Sequence, residues 1–284
     1  DMKQLISQIK DSTIFLGFMI NGEPVFSGTG FLIQVDDVFY VATAKHVVEK
    51  DFANMFIFLN AKNFGVNCKP ILEILNQGFS WKKHGDSKVD IALLPFPLAV
   101  NDRSKFIPNS LFIQEISDIQ ELVDLFFLSF QPGINEIKKD NSINPIIRKG
   151  VISRINYDKT FYMDGFAFPG NSGSPVFLLP TPVKIKENSV QIGGPMEIRL
   201  AGIIGAYVPY KDEAVSRQTG EVRAIFTENT GIALVHSTAL LQEIIKSHDF
   251  QEQHKKLTKL NKIEKGTQGD AEKPKSDQQA ENQK

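Results

Sequence analysis

Three short runs in this chain bring together residue types that can transfer an acyl group. Gly170-Asn171-Ser172-Gly173-Ser174-Pro175 sets a serine in a glycine-flanked turn, His46 lies in Thr43-Ala44-Lys45-His46-Val47-Val48, and Asp90 opens Asp90-Ile91-Ala92-Leu93-Leu94. A serine hydroxyl is a poor nucleophile near neutral pH, so it needs a base within hydrogen-bond reach to take its proton as it attacks a carbonyl. His46 is the candidate base, because imidazole titrates close to physiological pH. Asp90 is the candidate that holds the correct tautomer and stabilises the imidazolium, with Asp86 as the alternative carboxylate. A turn bracketed by glycines also suits an oxyanion hole, where backbone N–H groups meet the charge that develops on the attacked carbonyl.

The chain order His, Asp, Ser is that of the chymotrypsin-like double β-barrel. The runs resemble the trypsin-like serine peptidase superfamily, and their details are most similar to its bacterial HtrA-like peptidase domains. Further matches occur in order: Ser27-Gly28-Thr29-Gly30-Phe31-Leu32-Ile33, Lys149-Gly150-Val151-Ile152-Ser153, Gly202-Ile203-Ile204-Gly205 and Gly231-Ile232-Ala233-Leu234, the whole spanning residues 12 to 245. The resemblance implies an all-β fold of two six-stranded antiparallel barrels, catalytic His46, Asp90 and Ser172, and an oxyanion hole formed by the N–H groups of Gly170 and Ser172. Where relatives that cut after Lys or Arg carry the pocket carboxylate, this chain has Phe166, and Asp164 aligns with a different position. With Gly205, Ala206 and Ala233 as pocket walls, a small or medium apolar side chain is expected before the scissile bond. The substrate backbone would pair with the strand edge from Gly202 to Ala206.

Asn171 departs from the digestive and clotting relatives, in which an aspartate pairs with a freshly cut N-terminal ammonium. A neutral amide cannot form that ion pair, so activation by N-terminal cleavage is not expected. The hole is either permanently formed or ordered by loop movement or a regulatory partner protein. Nothing after the barrels is long enough for the peptide-binding domain that usually follows in HtrA proteins.

The 284 residues are 42% hydrophobic with a formal net charge of -1. That composition suits a sizeable globular core and offers no net attraction to nucleic acid or an anionic membrane, so a protein or peptide substrate is the expected partner. Cys68 is the only cysteine, which excludes an intrachain disulfide. With no visible secretory signal or membrane-spanning run, a cytoplasmic location is expected. His84, His236, His248 and His254 lack metal-ligand spacing and read as surface or packing residues, Cys68 reads as a small core hydrophobe, and Asp36-Asp37 reads as a turn. No metal or organic cofactor is expected.

These residues need elements to carry them. Residues 1–11 read as a short amphipathic helix, 12–100 as barrel 1, 115–236 as barrel 2 and 237–247 as a C-terminal helix. Asn21-Gly22 marks a hairpin, the stretch from Cys68 to Leu75 reads as a strand, and Pro180–Glu197 and Lys211–Gly220 read as loops rimming the cleft. Residues 248–284 read as a polar tail, disordered from about 264. The reading is a serine endopeptidase working through an acyl-enzyme. Its rivals are a silent or partner-activated peptide-binding scaffold on the same fold, and an esterase or other acyl hydrolase.

Overall fold

Apolar residues in the strands point alternately to two sides, and each side fills a different core. Leu125 and Phe127 enter a cluster with Ile152, Phe161 and Met163, whereas Phe126 and Leu128 enter another with Phe31, Tyr40 and Leu93. Such a strand reads as continuously hydrophobic because both of its faces are covered. The first cluster lies inside one β layer; the second is shared between that layer and its neighbour. The computed structural model describes residues 2–49, 54–131, 133–134, 142–180, 183–186, 189–192 and 198–271.

After helix α1 (Met2–Ser12), the N-terminal layer is built from β1 (Thr13–Ile20), β2 (Glu23–Val35), β3 (Val38–Thr43), β4 (Met55–Asn60), β5 (Val66–Pro70), β6 (Lys82–Lys83), β7 (Ala92–Pro95) and β8 (Ile107–Pro108). It is an eight-stranded sheet in the order β5-β4-β1-β2-β3-β7-β6, with β8 running parallel to β2 off that path. Asn21 and Gly22 both have positive φ, 54° and 79°, as a two-residue hairpin turn between twisted strands requires.

Among the described residues this layer is an open eight-stranded sheet rather than the closed six-stranded barrel expected from the sequence. The segment expected to run as a strand from Cys68 to Leu75 ends at Pro70 and becomes helix α2 (Ile71–Asn76), whose Ile71 and Ile74 are buried in the cluster of Ile57, Leu59 and Leu94. The apolar spacing at residues 71, 74 and 75 is helical rather than alternating. A helix thus covers apolar surface that closure would have covered with paired strands, and β6 is too short to complete the ring. Cys68, expected in the core, is exposed on the edge strand β5.

The C-terminal layer does close. Strands β9 (Asp124–Ser129), β10 (Ile146–Ile155), β11 (Thr160–Asp164), β12 (Pro175–Leu178), β15 (Arg199–Val215) and β16 (Val222–Ser237) form an antiparallel barrel in the order β10-β11-β16-β15-β12-β9, and β13 (Val183–Lys186) and β14 (Ser189–Ile192) pair as a separate hairpin. Strands β15 and β16 continue past the barrel as a long hairpin. Lys211–Gly220, expected as a loop, is therefore strand as far as Val215, which pairs with Val222. The Pro180–Glu197 segment carries the β13–β14 hairpin, and the rest of its interior lies outside the described residues.

Two helices follow, α3 (Thr238–Lys246) and α4 (His248–Ala271). The segment expected to trail away from residue 248 is thus helical to Ala271, and residues 272–284 lie outside the described residues. Its polar composition conceals a docked face. Phe250 is fully buried with its ring 4.9 Å from Tyr40, the Tyr40 hydroxyl donates to His254 Nδ1 at 2.8 Å, and His254 Nε2–H donates to Asp36 Oδ2 at 3.1 Å. Gln253 exchanges hydrogen bonds in both directions with the backbone of Ser80. Burial raises the Tyr40 hydroxyl well above the usual tyrosine pKa, so it remains a donor. Among the described residues no helix is long and apolar enough to cross a membrane.

If α4 is an integral part of the core, Phe250→Ala should cost about 3–5 kcal/mol in urea denaturation, as a fully buried aromatic does. A change below 0.5 kcal/mol, roughly what an exposed site gives, would mean that the helix is not docked.

Candidate active site

His46 leaves β3 on a single 3₁₀ turn, Lys45–Val48, anchored by buried Val47 and Val48. Gly28 on β2 makes room for that turn, since a Cβ there would stand 2.6 Å from the Val47 side chain. Asp90 sits between Val89 and Ile91, both buried, just before β7. Its carboxylate accepts two hydrogen bonds from His46: backbone N–H to Oδ1 at 2.9 Å, and ring Nδ1–H to Oδ2 at 2.6 Å. With Nδ1 committed as donor, Nε2 of the neutral ring is left as an acceptor.

The same contacts bias both titrations. The Asp90 hydrogen bond, opposed by partial burial and helped by the charges of Asp90 and Glu49, raises the His46 pKa above its ordinary value. For Asp90, burial pushes upward, but the His46 hydrogen bonds and charge outweigh it, and the carboxyl titrates below its ordinary range. The His46 side chain is 48% exposed and that of Asp90 19%, so the pair is open to solvent on one side only.

Ser172 stands in the turn between β11 and β12. Gly170 has φ 97° and Gly173 φ 84°, and a Cβ would lie 2.1 Å from the Phe26 ring at the first and 2.0 Å from the Thr29 carbonyl at the second, so glycine alone fits both. Asn171 is fully buried. Its N–H donates to Phe168 O at 2.9 Å, its Oδ1 accepts from Phe168 N–H at 2.8 Å, and its Nδ2–H donates to Phe130 O at 3.1 Å. Thr29 reaches the same turn from β2, its hydroxyl donating to Gly170 O at 2.9 Å and its N–H to Ser172 O at 3.0 Å. The N–H groups of Gly170 and Ser172 donate to no described group.

The two layers bring His46, Asp90 and Ser172 to one cleft of about 360 Å³. The Ser172 hydroxyl donates to Gly205 O at 3.1 Å, turned towards β15 rather than towards His46. Gly205 and Ala206 line the cleft as the sequence implied, but Phe166 and Ala233 do not. Phe166 is 56% exposed, outside the cleft with its ring 6.2 Å from that of Phe168, and Ala233 is fully buried in the barrel core. Ala167, Phe168, Ile204 and Tyr207 supply the apolar walls instead. The one signal for them was adjacency to Gly170 and Gly205. The expected substrate edge is also shorter than Gly202–Ala206. Gly202 and Ile203 pair with β12 on one side and β16 on the other, and Ile204 bonds to Gly173 and Ser174, so a free edge begins only at Gly205.

Asp86, the alternative carboxylate, is exposed and accepts the Lys88 N–H within its own turn. His84 pairs with Glu243 on α3, and His248 is exposed beside Glu252. His236, read as packing or surface, is buried near Asp90 and Gly205.

No family model matches this chain, and no curated protein matches it. Among solved structures it is similar to the serine endoprotease from Yersinia pestis, at 15% identity and a TM-score of 0.47, over 87% of this chain and 67% of that one.

Two outcomes test the geometry. The raised His46 pKa means that its charged form stabilises the fold below the unfolded value of 6.5, a contribution lost as pH rises through the folded value. The lowered Asp90 pKa gives a contribution present above 3.8 and lost as pH falls through the folded value. The stability difference between wild type and Asp90→Asn, from denaturation at a series of pH values, should therefore peak between those two values and shrink above them; a flat difference up to pH 9 would contradict the pairing. Asn171→Asp replaces the donor to Phe130 O with a buried anion facing a carbonyl, and should cost about 1–3 kcal/mol or more.

Proposed function

We propose that this protein is a serine endopeptidase of trypsin-like fold, cutting peptide bonds through an acyl-enzyme. The observation that carries the reading is the His46–Asp90 pair opening on the same cleft as Ser172, beside two backbone N–H groups without partners among the described residues. In the reaction the Ser172 hydroxyl turns from Gly205 to His46 Nε2, gives up its proton as Oγ attacks the substrate carbonyl, and the imidazolium that forms is stabilised by Asp90. The N–H groups of Gly170 and Ser172 receive the negative charge on the carbonyl oxygen, each such donor being worth about 2.7–4 kcal/mol. His46 then protonates the leaving amine, and water repeats the sequence on the ester.

The cleft walls support an apolar preference before the scissile bond. Among the described residues its only acidic lining side chain is Asp90, already bound to His46, and none of the other lining residues offers a carboxylate to select Lys or Arg. The substrate backbone would pair along the free edge from Gly205 through Tyr207. Asn171 supports a hole that needs no new N-terminus, because its amide oxygen and one amide N–H already make hydrogen bonds that hold the turn.

A fluorophosphonate probe should label the wild type and leave Ser172→Ala unlabelled. Asp90→Asn should react about 10⁴-fold more slowly, as when the orienting carboxylate of a triad is lost. In a peptide library, cleavage should follow small or medium apolar residues. Labelling without peptide cleavage would favour an esterase, and no labelling of folded protein would favour a binding scaffold.

A further inference from the structure

His236 is a buried titratable group beside the site that the proposed reaction leaves unused. It lies on β16 opposite Ile203 on one side and Thr160 on the other, and is only 3% exposed. Next to it, β15 carries a β-bulge. Ile204 pairs with Val235 and Ala206 with Leu234, which leaves Gly205 as the extra residue. A bulge kinks the strand and re-aims what it carries. Here it presents the Gly205 carbonyl to the Ser172 hydroxyl.

The bulge also sets Gly205 against the His236 ring, with no room for a Cβ between them. A Cβ at Gly205 would stand 2.8 Å from both Cδ2 and Nε2 of His236, and 3.5 Å from Asp90 Oδ2. The edge of the imidazole and the carboxylate that holds His46 therefore both lie beside Gly205, where the ring takes the place a side chain of residue 205 would need.

The tautomer follows from the surroundings. His236 Nδ1 is buried with no partner. A proton there would leave a buried donor without an acceptor and set the Nε2 lone pair on the ring edge beside Gly205, the side on which Asp90 lies. A proton on Nε2 avoids both costs and leaves only a lone pair unmatched. The charged and titratable groups facing the ring are Asp90, Asp158 in the β10–β11 turn, and Lys45 and His46 on the 3₁₀ turn. Burial dominates and lowers the His236 pKa, so the ring is neutral at physiological pH.

We propose that His236 is a positioning residue for the His46–Asp90 pair: its neutral imidazole, filling the space that Gly205 leaves open, turns an Nε2–H edge towards Asp90 and steadies the carboxylate against which His46 is oriented. This deepens the peptidase reading, on which its catalytic consequence rests. The physical claim about His236 and Asp90 can be tested without catalysis.

The experiment is an NMR titration of the His46 imidazole in the full chain, compared among wild type, His236→Phe and His236→Gln. Phenylalanine keeps a ring and loses the donor; glutamine keeps an N–H. Without the N–H edge beside it, Asp90 draws a proton onto His46 more strongly, so His236→Phe should raise the His46 pKa by at most about 0.4 unit, less than an ordinary hydrogen bond would give, since the two side chains form none directly. His236→Gln should return it towards the wild-type value. If fluorophosphonate labels the wild type, the acid limb of its pH–rate profile should shift with the NMR titration. An unlabelled wild type would refute the peptidase reading and leave the His46 titration to decide this one. A His46 pKa identical in wild type and His236→Phe would overturn the proposal. Should the phenylalanine variant not fold, nitrogen shifts of the wild-type ring decide: a proton on Nδ1 rather than Nε2 refutes the assignment.

Discussion

The hydroxyl of Thr29 joins the two β layers at the point where the site is assembled. It donates to the Gly170 carbonyl and accepts from the Phe130 N–H, while the Thr29 N–H binds the Ser172 carbonyl and the Thr29 carbonyl accepts from the Thr43 hydroxyl. Thr29 is fully buried, so none of these groups can turn to water instead. His46 and Asp90 belong to the N-terminal layer and Ser172 to the barrel. Their meeting therefore depends on this contact and on the apolar cluster that the layers share, in which Phe31, Tyr40 and Leu93 face Phe126, Phe177 and Leu200.

Around that junction the polar groups are graded by how fully they are used. Every hydrogen-bonding atom of the Asn171 amide side chain but one proton is assigned, and the Asp90 carboxylate is bound twice by His46. Among the described residues no partner is found for the Gly170 and Ser172 N–H groups or the outward Nε2 of His46, all at the cleft, nor for the buried Ser174 hydroxyl beside them. A buried unmatched polar atom usually raises the free energy of a fold, and sites that bind are where it is tolerated. His236 Nδ1 belongs to the same class, one strand behind the cleft.

Residues that act through local geometry were readable from the chain. The glycines of the serine turn, the Asn-Gly hairpin and the alternating strands of the barrel all have short-range causes, namely positive φ, turn chemistry and period-2 burial. Misreadings came where a local pattern was overridden or ambiguous. Ile71 and Ile74 continue the run that opens as a strand at Cys68, though their spacing of three is helical, and α4 looks like a solvated tail because its buried face carries Gln253 and His254 beside a single Phe. Ala233 fell outside the cleft because its side chain points into the barrel core, and Phe166 because it lies in the loop after β11 with its ring turned beside that of Phe168.

By itself the sequence determined which chemistry was available: one serine between glycines, one histidine and one aspartate in runs of their own, and an asparagine where an ion pair could not form. Only the tertiary structure decided which surfaces meet them. The barrel closes while the N-terminal sheet stays open under α2, the bulge at Gly205 admits His236 behind Asp90, and Phe168 and Tyr207 rather than Phe166 and Ala233 wall the cleft. The reason is that local conformation depends on neighbours in the chain, whereas a pocket is made by side chains from distant strands whose register is set by the packing of whole layers.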